Sequence, residues 1–231
     1  MKDLKQVGFI GSYDKKDILL YISKVLTNCG IKVLIVDATI AQRMRYIIQN
    51  TSSNNSMTFV SEYLGIDIAV GFMNLGQVAA YFKTNSLPYD LVLVDSDNIQ
   101  TVASFMIPAM KNIFLFTSYD QAEINKIVET LKYINKPINV TEVIMSADLS
   151  SSQEKALLHK LKETGAIVEK HKVQFADTNI DRKAILQNQL VREIRMKNHT
   201  STFKDSLEYV TSLVSDELVQ QSEIKKEIKK I

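Results

Sequence analysis

A three-layer α/β fold, a mostly parallel, doubly wound sheet with helices on both faces, is predicted by three features of the 231-residue chain. Short runs of consecutive apolar residues recur: VGFI at Val7–Ile10, KVLIV at Lys32–Val36, LVLV at Leu91–Val94 and IFLFT at Ile113–Thr117. Runs of this kind mark strands buried on both faces, because alternation with polar residues disappears when neither face meets water. Helical periodicity of about ten to fifteen residues separates them, the pattern of βαβ units. Finally, 45% apolar and 23% charged residues suffice for one large core.

The elements follow in order. Val7–Ile10 ends at Gly11, and Ile18, Leu19, Ile22, Val25 and Leu26 repeat at helical spacing until Asn28-Cys29-Gly30 closes the helix. Lys32–Val36 is the second strand, so Val7 to Thr39 forms a βαβ-type opening with a right-handed crossover. Asp37–Gln49 reads as a short helix or ordered loop, and Thr51–Ser56 as a polar loop. Thr58–Tyr63 and Ile66–Val70 flank Leu64-Gly65 as a tight hairpin or two edge strands, and Gln77–Thr84 is a helix broken at Pro88. After Leu91–Val94 and Ile113–Thr117 come a helix at Gln121–Ile134 and a strand at Val140–Met145. Ser150–Ser152 then cap a helix running to Lys162, with Gly165 as its stop. Ile167–Phe175 is a last strand, and Asp181 onward is helical with a polar gap at Lys197–Thr202. The domain assignment is one α/β unit, 1–231, with 207–231 as a C-terminal helical tail.

Charge and cysteine content narrow the function classes. With 28 Lys and Arg against 26 Asp and Glu, the net charge of +2 gives no strong nucleic-acid signal and limits membrane association to the periphery. One cysteine, Cys29, forms no internal disulfide, and no Cys/His spacing suggests a metal site. The opening MKDLKQVGFIG has no signal-peptide succession and no apolar run approaches a bilayer span, so a cytoplasmic location is expected.

In doubly wound sheets ligands bind beyond the carboxyl ends of the strands. Five segments land there: Gly11–Lys16, Asp37–Thr39, Asp95–Asn98, Thr117–Asp120 and Ala176–Thr178. A phosphate cradle needs glycines so that backbone N–H groups can approach the phosphates, a lysine to reach them, and a following Ser or Thr for Mg²⁺. The first turn, Gly11-Ser12-Tyr13-Asp14-Lys15-Lys16-Asp17, keeps one glycine and two lysines and has no hydroxyl after either lysine. Asp14 also puts a carboxylate where phosphate oxygens would sit. Asp37 and Asp95 stand where one acid could orient water and another hold Mg²⁺, or where each could cap the turn that follows it. Asp97 and Thr39 are lesser candidates on the same surface.

The blocks Gly30-Ile31-Lys32-Val33-Leu34-Ile35-Val36-Asp37 and Tyr89-Asp90-Leu91-Val92-Leu93-Val94-Asp95, with the turn before them, resemble the MinD/ParA group of deviant Walker (SIMIBI-class) P-loop ATPases. That group reads Lys-Gly-Gly-x-Gly-Lys-Thr-Thr in its turn, then Gly-x-Lys-Val-Leu-x-x-Asp, and later Tyr-Asp-x-x-x-x-Asp. By the resemblance Lys15 falls on the phosphate-binding lysine, Lys16 on the Mg²⁺-binding threonine, Gly11 on one glycine and Ile10 on the signature lysine that reaches across the dimer. Asp37 and Asp95 match the two acidic positions. If ATP and Mg²⁺ bind, the resemblance implies Gly11, Ser12, Lys15 and Lys16 as nucleotide ligands, Asp37 as the water-activating residue and Asp95 as the metal ligand. The missing glycines, threonine and signature lysine instead imply a degenerate pseudo-ATPase. Such a protein would serve as a binding, positioning or regulatory component of a larger cytoplasmic or membrane-associated assembly of the secretion, pilus or conjugation type, with protein partners and a homodimer as in relatives. An active ATPase with an atypical loop and a DNA-associated partition factor are the alternatives.

Elsewhere the expectations are plainer. Ile224, Ile228 and Ile231 share a face of a terminal helix expected to be solvated or frayed, with docking on a partner as the alternative. Arg192 and Arg195 fall on one face at helical spacing and could touch phosphate. His159, His171 and His199 are isolated in sequence, and Phe72, Tyr81, Phe82, Phe114 and Phe116 are assigned to the core.

Overall fold

In the computed structural model, which describes residues 4–48, 57–145, 151–169 and 172–231, the chain opens with β1 (Lys5–Ile10), α1 (Lys16–Asn28) and β2 (Val33–Asp37). All five residues of β2 are buried, as its unbroken apolar run requires. Gly30, at φ +85°, supplies the left-handed residue that ends α1. A 3-10 turn at Arg43–Tyr46 precedes the hairpin of β3 (Phe59–Tyr63) and β4 (Ile66–Val70). Its two turn residues, Leu64 and Gly65, both have positive φ, the geometry that matches strand twist in tight hairpins.

Next come α2 (Leu75–Tyr81), β5 (Leu91–Ser96) and α3 (Ile99–Ser104), the two helices capped by the side chains of Asn74 and Asn98. A 3-10 turn at Ile107–Ala109 leads to β6 (Asn112–Thr117). Then α4 (Gln121–Ile134) starts at Asp120, whose carboxylate accepts from the amides of Ala122 and Glu123. The remainder is β7 (Asn139–Met145), α5 (Ser151–Lys162), β8 (Ile167–Val168), β9 (Val173–Phe175), α6 (Asn179–Val191), α7 (Ser201–Ser215) and α8 (Gln221–Lys230).

Among the described residues the sheet has nine strands in the order β3-β4-β2-β5-β1-β6-β7-β8, with β9 also paired to β7. Every pairing is parallel except β3 with β4. Two cores lie on its two faces. Val7, Phe9, Ile35, Leu93, Phe114 and Phe116 face α1, α7 and α8; Leu34, Val36, Val92, Val94 and Leu115 face α2 to α5. Phe9 stacks on Phe114 with centroids 5.3 Å apart, fixing β1 against β6 from within the first core.

Several expectations are corrected. Ile167–Phe175 is two short strands, not one, and both pair with β7. The helix α3 carries no helical period strong enough to mark it. Tyr81 is 44% exposed at the end of α2, whereas Phe72, Phe114 and Phe116 are buried and Phe82 is half-buried. Arg192 takes a left-handed conformation immediately after α6, so it shares no helix face with Arg195. It lies instead over the ring of Tyr63, and Arg195 pairs with Glu193. The loop 51–56, residue 150 and residue 171 lie outside the described residues.

The tail is neither solvated nor frayed. Ile224 and Ile228 are buried in the first core, Ile231 packs against it, and the amide of Met196 donates to the carbonyl of Ile231 at 2.7 Å. Its lysines occupy the outer face, so α8 is an amphipathic helix already partnered by α7 and α1. Truncating Ile228 to Ala is expected to cost about 2–4 kcal/mol, as a buried aliphatic deletion does. Urea unfolding that is unchanged in Ile228→Ala would show that α8 contributes no packing.

Candidate functional site

The turn after β1 is positioned by both neighbours of that strand. The Gly11 amide donates to the carbonyl of Ser96 on β5 at 3.1 Å, and the chain passes against β6 so closely that a Cβ on Gly11 would lie 2.0 Å from the Phe116 carbonyl oxygen. Gly11 also has φ +139°, so both space and backbone conformation demand glycine. The chain then bends over the end of the sheet, and Lys15, the residue preceding α1, folds its side chain back beneath the turn. It is 1% exposed. Its Nζ donates to the carbonyls of Gly11 and Tyr13, the latter at 3.2 Å, and forms an ion pair with Asp95 Oδ1 at 2.9 Å.

Asp95 and Asp37 sit side by side in register at the carboxyl ends of β5 and β2. Burial pushes the Asp95 carboxyl well above the usual carboxylate range, Lys15 opposes the shift, and Asp37 adds to it. Burial also raises Asp37, against hydrogen bonds from the segment that follows it. Asp37 Oδ1 accepts from the amide and hydroxyl of Thr39 at 3.1 and 2.6 Å, and Oδ2 accepts from the Met44 amide at 3.0 Å. Asp97 Oδ1 accepts from the Ile40 amide at 2.9 Å.

Asp14 completes the ring. Its Oδ1 accepts from the Lys16 amide at 3.1 Å in the first turn of α1, and its Oδ2 pairs with Arg43 Nη1 at 3.0 Å. The Lys16 ammonium, also largely buried, pairs with Asp17 Oδ1 at 2.7 Å, an oxygen that also accepts from Gln189 on α6 at 2.8 Å. Between these groups remains a cavity of about 80 Å³ lined by Ser12, Asp14, Lys15, Lys16, Asp37, Thr39, Arg43 and Asp95, among others. The structure thus brings Ser12, Lys15, Lys16, Asp37, Thr39, Asp95 and Asp97 to one cavity, with Gly11 in the turn beside it, while Ala176–Thr178 line a neighbouring hollow and Arg192 and Arg195 lie elsewhere. Arg43 was missed as a site residue because it is linked to Asp14 only through the fold.

A second hollow of about 230 Å³ lies beside the turn, between Tyr13, Asp17, Phe175, Asp177 and the side of α6. Behind it is a buried network centred on His199, which stays apart from His159. His199 Nδ1 lies 3.1 Å from Asp181 Oδ1, and its Nε2 lies 3.0 Å from the Tyr21 hydroxyl, which also accepts from Asn188 at 2.9 Å. Asp181 further accepts from the amide and hydroxyl of Thr200 and from the Thr178 hydroxyl. The network joins α1, α6 and the start of α7. Cys29 is half-buried, and burial raises its thiol to about 11, which leaves little thiolate at neutral pH.

Two outcomes follow from these geometries. Lys15→Met strands a buried carboxylate and is expected to destabilise the protein by about 3–5 kcal/mol at pH 8. Because burial raises the folded-state pKa of Asp95 to about 7, the folded chain holds a proton between about pH 4 and pH 7 that the unfolded chain has released, and Asp95 is ionised beside Lys15 above that window. The loss in Lys15→Met therefore shrinks as pH falls toward 5, and Asp95→Asn in the same background removes the pH dependence; urea unfolding across pH checks both. His199 has the opposite sign, since burial lowers its pKa and Asp181 only partly restores it. Below about pH 6.5 the unfolded chain takes the proton first. Wild type should then lose stability relative to His199→Asn between pH 7 and 5, and a constant difference would contradict this.

No family model and no curated protein matches the sequence. Solved structures do. A ParA family ATPase from Chlorobium tepidum is 16% identical with a TM-score of 0.61, covering 90% of this chain and 98% of that one. An ATP complex of McdA from Cyanothece is 11% identical with a TM-score of 0.62, covering 95% and 100%. The MinC:MinD cell division complex of Aquifex aeolicus matches at 12% identity and a TM-score of 0.56, covering 94% and 98%. The chain therefore has a MinD/ParA-like α/β fold.

Proposed function

We propose that the chain is a MinD/ParA-like protein that does not run an ATP cycle and acts as a binding, positioning or regulatory component of a larger assembly. A secretion, pilus or conjugation apparatus, cytoplasmic or peripheral to a membrane, is the assembly type in view. The observation that carries the proposal is the state of Lys15. The lysine at the phosphate-binding position is buried and bonded to two carbonyls of its own turn and to Asp95.

The residues present do not fit a Mg²⁺-bound triphosphate in this arrangement. The cavity of about 80 Å³ is small beside the roughly 300–1,000 Å³ typical of ligand pockets. Asp37 has both oxygens engaged by Thr39 and Met44, and Lys16 offers no hydroxyl to a metal. The hollow next to it is bordered by the carboxylates of Asp14, Asp17, Asp177 and Asp181 with Arg182 as the one basic wall residue among the described residues, a poor setting for a polyanion. Protein partners are supported by the likeness to MinD in its complex with MinC, and a homodimer is an expectation carried from the same fold.

The second reading is an ATPase with an atypical loop, favoured by the convergence of Lys15, Asp37 and Asp95 on one cavity and by the likeness to ATP-bound McdA. Calorimetry with ATP and Mg²⁺ separates the two. No binding in the micromolar range and no turnover above blank are expected. Micromolar, Mg²⁺-dependent binding with turnover that Lys15→Ala, Asp37→Ala and Asp95→Ala abolish would replace the first reading with the second.

A further inference from the structure

We infer that Asp14 is the residue that sets the ligand preference of the first turn: its carboxylate serves as a built-in anion at the start of α1, held by Arg43, and excludes phosphate from that place. The inference deepens the proposed function and rests on its reading that the turn is closed to triphosphates. The start of a helix presents amides without intrahelical partners and favours negative charge, which is why phosphate binds there in other proteins. In α1 the cap residue, Lys15, makes no side-chain capping bond. The Lys16 amide is instead satisfied by Asp14 Oδ1 at 3.1 Å, so the acceptor that a ligand would provide comes from the chain itself.

Arg43 makes the arrangement more than a local cap. It reaches Asp14 Oδ2 across 29 residues at 3.0 Å, from a segment after β2 that is tied down independently. Asp37 holds Thr39 and Met44, and Asp97 holds Ile40. The segment 39–44 thus lies across the cavity as a strap, fixed by three acidic side chains from the turn after β1 and the ends of β2 and β5. A phosphate at the start of α1 would have to displace Asp14 from both the Lys16 amide and Arg43, and would then lie against the displaced carboxylate. Removing the carboxylate reverses the balance: the amide and the Arg43 guanidinium are both released toward the same space, and Lys16 stands beside them.

The test uses the full chain and inorganic pyrophosphate as probe, followed by calorimetry at low salt. Asp14→Ser keeps a hydroxyl able to accept from the amide, and Asp14→Asn keeps the shape while removing the charge; either can stand alone if the other melts early. At least one folded variant is expected to bind pyrophosphate on the order of 10- to 100-fold more tightly than wild type, as a charge-assisted anion contact would give. Adding Arg43→Ala to that variant is expected to cancel most of the gain, whereas Arg43→Ala alone should produce none. Folded Asp14 variants with wild-type affinity, or a gain insensitive to Arg43, overturn the inference. Wild-type turnover of ATP would instead overturn the proposed function, and the variant comparison would still decide the role of Asp14.

Discussion

The Lys15–Asp95 ion pair is the contact on which the end of the sheet depends. Removing two charges from water costs several kcal/mol per ion, and mutual attraction offsets it only when the remaining polar atoms are also satisfied. Lys15 meets that condition through the Gly11 and Tyr13 carbonyls, so the path of the turn and the burial of the lysine determine each other. The pair forms because β1 lies beside β5, which sets the turn after Ile10 next to the acid that ends LVLV. Gly11 is required by the same geometry, since any side chain there would strike β6 before the turn could curl over the ammonium.

Acidic residues at strand ends are usually read as metal or water ligands, and here they organise backbone. Asp37, Asp97 and Asp14 each accept from the 39–44 strap or from the start of α1. A carboxylate that accepts two or three protein donors is held in one orientation and has fewer lone pairs for a hydrated cation. Burial raises Asp37 and Asp95, yet each finds compensation inside the chain, one from amides and a hydroxyl, the other from Lys15. The direction of both shifts follows from burial, opposed by the neighbouring charge or hydrogen bonds.

How much of this was legible in the sequence depends on the physics of each segment. The central strands were, because burial on both faces leaves an uninterrupted apolar run, and α4 was because its 14 residues are long enough to show a helical period. The candidate site residues were nominated because strand-end positions follow from strand assignment alone. Their engagement was not legible: Arg43 is 29 residues from Asp14, and His199 is 178 from Tyr21, separations at which only the folded chain makes neighbours. The docking of α8 was misjudged because three isoleucines among lysines look meagre in isolation. They suffice because α1 and α7 supply the apolar side chains they pack against. The six residues of α3 are too few to show a period.

These observations separate the MinD/ParA-like framework from the chemistry associated with it. The sheet is stabilised by two apolar cores on its two faces, and the C-terminal helices are bound to α1 by packing and by the Tyr21–His199–Asp181 network. None of this requires a phosphate. A partner for the helix amide and a counter-charge for Arg43 come from Asp14, within the chain. What a ligand would contribute to the lysine, Asp95 and two carbonyls contribute.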